Sequence, residues 1–141
     1  MPSRSALRLW LPTLLWTAVI FAASSDPFSA GNTGSLLEKL IEIIVGHPIA
    51  PSQFDLAHFA VRKAAHLAEY GILGILLFRS FRAERRDWDY RWSLAAVAIA
   101  AAVACLDEWH QAFIPSRTAS PYDVLIDTIG ATLAQVLFFK T

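Results

Sequence analysis

Three short stretches of the sequence hold side chains that can move protons or meet charge. In KAAHLAEY, steps of three and four residues set Lys63, His66 and Tyr70 on one helix face, with Glu69 beside His66. In CLDEWHQAF, Asp107, Glu108 and Gln111 close an apolar run, with His110 among them. In SRTASPYDVLID, Arg117 precedes Asp123 and, one helical turn further on, Asp127. Histidine among carboxylates is material for acid–base chemistry or a proton relay. Lysine and arginine beside them are material for holding phosphate or another anion.

Asp107 and Glu108 pose a problem of placement. They end an apolar helix, where the negative end of the peptide dipoles disfavours carboxylates. Neutralisation by Lys63 and Arg117 would account for them, as a paired polar site. Most of these groups also have structural readings. SPYD supplies Ser120 as N-cap, Pro121 as first helical residue and Asp123 three positions after the cap, a capping box. Asp127 lies too deep to cap. Arg62 and Lys63 have stems long enough to snorkel, His110 and Trp109 suit a membrane interface, and His66 and Glu69 suit a helix-to-helix hydrogen bond. A metal would draw on His66, Glu69, Asp107 and His110, but H-x-x-E spacing arises often by chance. We expect neither metal nor cofactor.

The elements that carry these residues are apolar. Of 141 residues, 55% are hydrophobic and 17% charged, where soluble domains have roughly 45–50% and about 25%. The excess is concentrated in four runs, at about residues 7–24, 64–81, 92–110 and 122–139. Each approaches the roughly 17–25 residues that hydrocarbon demands. The third does so only if DEWHQ continues as helix. The expected fold is an all-α membrane protein of one domain, a four-helix transmembrane bundle with a long outer loop carrying a short amphipathic helix. That loop runs from Asp26 to about Lys63. In it SLLEKLIEIIVG sets Leu36, Leu37, Leu40, Ile43 and Ile44 at helical spacing, with Glu38, Lys39 and Glu42 opposite. Such a stripe suits a helix in the interface or one folded back over the bundle, and packing is the role we expect. Gly130 with Ala134, and Gly71 with Gly74, are small enough to let helix backbones approach closely.

Net charge is zero, which offers no basic surface to nucleic acid. Its distribution is uneven. Arg79, Arg82, Arg85, Arg86 and Arg91 crowd one joint, with Arg4 and Arg8 at the start and Lys140 at the end. The positive-inside rule puts these, and both termini, in the cytoplasm. The polar ends then lie together at the outer interface. The first run also reads as a signal peptide, but it is long for a signal core and we take it as a span. The single cysteine, Cys105, excludes an internal disulfide.

Lys63, His66, Tyr70, Asp107, Glu108, Gln111, Arg117, Ser120, Asp123 and Gly130, in that order, resemble the motif set of the VanZ-like family of small bacterial membrane proteins. Ser24 and Ser25 fit it as well. Two positions depart: Arg62 stands where the family often has an acid, and Asp127 where it often has asparagine. The resemblance runs from about Ser24 to the C-terminus, apart from the outer loop. It implies four spans in a bacterial cytoplasmic membrane and, from the family's namesake, a link to teicoplanin resistance. It implies no agreed biochemical activity.

Three functions compete. Lys63, Arg117 and His66 would bind an anionic group of a membrane lipid, a cell-wall precursor or a lipoglycopeptide. Alternatively, His66 or Glu108 would be the acid or base of an enzyme acting on a lipid headgroup. A proton-coupled carrier ranks last, because the inner halves of the runs look apolar.

Overall fold

The computed structural model describes residues 4–25, 30–85, 87 and 89–139. They form five helices: α1 (Arg4–Ala23), α2 (Ala30–Val45), α3 (Pro51–Arg82), α4 (Tyr90–Gln111) and α5 (Pro121–Phe139). Their ends follow local rules. Gly46, at φ 82°, stops α2 in a left-handed turn, and its N–H reaches the Glu42 carbonyl over 2.8 Å. Pro51 opens α3, with the Gln53 side chain accepting the Ala50 N–H over 3.1 Å. Arg79 and Arg82 face the negative end of the α3 dipole. Asp89 caps α4 by accepting the Arg91 N–H over 2.9 Å.

This is not the expected four-helix transmembrane bundle. Among the described residues only two helices are long and apolar enough to cross a membrane, Ala6–Ala23 of α1 and Tyr90–Gln111 of α4. The second expected span is interrupted by His66, Glu69 and Arg79, and the fourth by Asp123 and Asp127, polar groups that lower the mean hydropathy of α3 and α5. The long outer loop also shrinks. Much of it is helix, because α3 begins at Pro51 and runs unbroken for 32 residues. Asp26, Arg86 and Lys140, which entered the expected loop and charge pattern, lie outside the described residues, as does the side chain of Arg4.

The central helix is α3, which packs on α5, α4 and α1. Tyr70, Leu73, Leu77 and Phe78 form its buried face. Against them α4 offers Ala96, Ala100 and Ala104, one per turn and fully buried, so that its backbone comes close. The approach to α5 is closer still. A Cβ on Gly74 would lie 3.1 Å from the Cα of Ala131, and one on Gly130 would collide with the backbone carbonyl of Leu67. Leu7, Leu14, Leu15, Leu94 and Leu125 point outward and are exposed. A core lined by alanine and glycine under a leucine-rich surface is the packing pattern of helices in lipid.

The half of the bundle away from DEWHQ is not wholly apolar, contrary to expectation. Thr13 and Ser80 approach within 2.9 Å through their hydroxyls, and Gln135 donates to the Gly74 carbonyl over 3.0 Å.

Candidate functional site

The layer is built where α1 and α4 end, α5 begins and α3 passes its midpoint. Ser24, just beyond α1, donates its hydroxyl to Asp107 Oδ2 over 2.9 Å. Gln111, one turn past Asp107 on the same face of α4, donates its amide to that oxygen over 3.0 Å. Asp107 and Gln111 are almost fully buried. A buried carboxylate needs such donors, since an unpaired charge away from water is strongly disfavoured.

Glu108 resolves the placement problem differently from its neighbour. Its Oε2 accepts the backbone N–H of Ser120 over 2.6 Å. Ser120 precedes α5, so Glu108 stands at the unfavourable end of its own helix and the favourable end of the next. In the expected capping box this N–H belongs to Asp123. Glu108 takes it from across the bundle, and the Asp123 carboxylate pairs instead with the Lys63 ammonium. The Ser120 hydroxyl accepts the Tyr122 N–H over 3.3 Å, which keeps its capping role.

Arg117 also departs from expectation. Two successive turns carry the chain away from α4, with the Ile114 N–H bonded to the Gln111 carbonyl and the Arg117 N–H to the Ile114 carbonyl. The guanidinium thereby reaches the end of α1, where it donates to the carbonyls of Ala23 and, over 3.1 Å, Ser25. These are orphan acceptors at the negative end of a helix, and a cation suits them. The described partner of Lys63 is thus Asp123, and those of Arg117 are at the end of α1.

His66 on α3 meets Asp127 on α5, with Nδ1 at 3.1 Å from Oδ1. Asp127 is fully buried and His66 nearly so. Tyr70, a turn below His66, is fully buried too. Glu69 is half-buried; the described tie at this residue is its backbone carbonyl, which accepts the Trp16 indole N–H over 2.9 Å. His110 points outward and meets Phe21 edge-on. The set His66, Glu69, Asp107 and His110 is therefore not assembled, and no three His, Cys, Asp or Glu residues among those described are placed to hold a metal.

What the layer can do follows from what its anchoring leaves over. Asp107, Glu108 and Asp127 each hold one carboxylate oxygen in a hydrogen bond. Their second oxygens, Tyr70 Oη and Gln111 Oε1 are buried without a hydrogen-bond partner among the described residues. The interior is thus rich in acceptors. The cations lie further out. Arg62, Lys63, His58 and Phe59 line an open cleft of about 330 Å³ with Asp55, Thr118, Ser120 and Asp123. The Lys63 ammonium lies 5.2 Å from the centre of the Phe59 ring.

A family model described as VanZ/LLP1 matches residues 9–140. The chain belongs to the VanZ/LLP1 family. No curated protein and no solved structure matches it. Family membership makes this a VanZ-type membrane-associated protein, in keeping with its two span-like helices. Of the residues that carry the resemblance, Lys63, His66, Tyr70, Asp107, Glu108, Gln111, Ser120 and Asp123 fall in or beside one layer, and Arg117 ties that layer to α1. Sequence reading did not find the cleft residues Asp55, His58 and Thr118. The first two lie in what read as loop, and the only signal was the spacing of four that separates Asp55 from Phe59 and His58 from Arg62 on a helix that hydropathy hides.

Proposed function

We propose that this VanZ-family protein serves the cell envelope by holding an anionic group at the outer membrane interface. That group belongs to a lipid, a cell-wall precursor or a lipoglycopeptide of the teicoplanin type. The supporting observation is the cleft, where Arg62, Lys63 and His58 converge beside the apolar ring of Phe59. An ammonium has three donors. Lys63 gives one to Asp123 and keeps the others for an incoming phosphate or carboxylate. Asp123, held in turn at the start of α5, orients the ammonium so that little freedom is lost on binding. Orientation follows the arginines: Arg79, Arg82, Arg85 and Arg91 lie at the cytoplasmic end, with the cleft and both acidic helix ends outside.

A second reading has its own observation. The His66–Asp127 contact fixes the imidazole through Nδ1 and leaves Nε2 to exchange a proton, the arrangement of a general base oriented by a carboxylate. The substrate would again be a lipid headgroup, drawn from the same cleft.

The test is titration of the purified protein in micelles with short-chain phosphatidylglycerol, followed by calorimetry. Arg62→Ala removes a cleft cation and leaves the Lys63–Asp123 pair alone. Affinity should fall by about tenfold or more, since one hydrogen bond to a charged group contributes about 1.5–3 kcal/mol. Equal affinity in the variant and the parent would refute the cleft as the site. Headgroup release during incubation, abolished by His66→Gln with binding retained, would favour the enzyme reading.

A further inference from the structure

The helix α2 presents three faces. Gly34, Leu37 and Ile41 turn towards α3, and a Cβ built on Gly34 would lie 3.6 Å from the Phe54 ring. Glu38, Lys39 and Glu42 form a charged flank. On the other side Leu36, Leu40, Ile43 and Ile44 are exposed, Ile43 to 76% and Ile44 to 82%. Four aliphatic side chains in a row are a contiguous apolar strip that soluble surfaces rarely show. The expectation that this stripe packs over the bundle therefore holds for one edge of it only. Nearby, Leu56 and Phe59 at the start of α3 are exposed as well.

We propose that α2 lies in the plane of the membrane interface, with Leu36, Leu40, Ile43 and Ile44 among the acyl chains and Glu38, Lys39 and Glu42 in water. Two observations select lipid as the occupant of this face. The end of α1, a helix long and apolar enough to span, is joined to α2 by the six residues 24–29, which reach at most about 25 Å fully extended. That tether keeps the start of α2 close to the surface where α1 leaves hydrocarbon. The strip is flanked by charge on one side and packed on α3 on the other, so it can turn to the bilayer without burying an ion. The consequence is that α2 floats the first half of α3, and with it the wall of the cleft, at headgroup level. This does not depend on what the cleft binds.

The test uses nitroxide labels in vesicles of phosphatidylethanolamine and phosphatidylglycerol, with the protein in a Cys105→Ala background. Labels are placed by Ile44→Cys and Glu38→Cys, both exposed positions on which the fold does not rest. At Ile44 collisions with oxygen should exceed those with a water-soluble nickel chelate severalfold more than at Glu38. Equal, nickel-dominated accessibility at both positions would overturn the proposal. So would spin–spin broadening at Ile44 that vanishes on dilution with unlabelled protein, because the face would then meet a second copy.

Discussion

Glu108 accepts one of the free N–H groups at the start of α5 from a position on another helix. Removing such an acceptor typically lowers stability by about 0.5–2 kcal/mol. Glu108→Ala should fall near the upper end of that range, because the residue is buried. Glu108→Gln keeps a carbonyl oxygen and should lose much less. Thermal unfolding in micelles separates the two, and equal losses would show that charge, not the hydrogen bond, matters there. The residue types of this layer were legible in the sequence, since spacing of three and four puts Lys63, His66 and Tyr70 on one face whatever surrounds them. The partners were not. Whether Asp123 or Glu108 caps α5 depends on the path of residues 112–120, and that path is set by turns whose hydrogen bonds leave no periodic mark.

The contact between α3 and α5 rests on glycines, which grade by how much room a methyl group would find. A Cβ on Gly71 would sit at an ordinary 3.5 Å from the Gly130 carbonyl oxygen, one on Gly74 at 3.1 Å from Ala131, and one on Gly130 inside the Leu67 backbone. Alanine also favours helix by up to about 1 kcal/mol over glycine. Gly71→Ala should therefore be neutral or stabilising, Gly74→Ala mildly destabilising, and Gly130→Ala destabilising by about 1–3 kcal/mol as the helices are forced apart. Unfolding midpoints that fail to follow this order would disprove the close approach. At this scale hydropathy misled. It began the second run at Ala64 because Arg62 and Lys63 interrupt the apolar pattern, whereas backbone hydrogen bonding continues through charged residues back to Pro51. The alanines of α4, which in the sequence belong simply to an apolar run, form a contact strip.

For the molecule as a whole, orientation is the property that charge counting predicts and geometry alone leaves open. In a Cys105→Ala background, His47→Cys should react with a membrane-impermeant maleimide added to intact cells, and Glu84→Cys should react only after lysis. Both positions are exposed. The reverse pattern would turn the protein over and put the cleft in the cytoplasm.

The reach of Arg117 to the carbonyls of Ala23 and Ser25 spans 94 and 92 residues of sequence. During synthesis α1 emerges before α2, α3 and α4, and its terminal carbonyls wait for a side chain made after all three. Until then the end of the leading helix has to stay near water or borrow a temporary donor. A nascent chain arrested before Arg117 should consequently keep that end open to external proteases, and one arrested well beyond it should not. The end of α1 is thus completed late, by a residue made after α2, α3 and α4, and a ribosome that stops before it leaves that helix end unfinished.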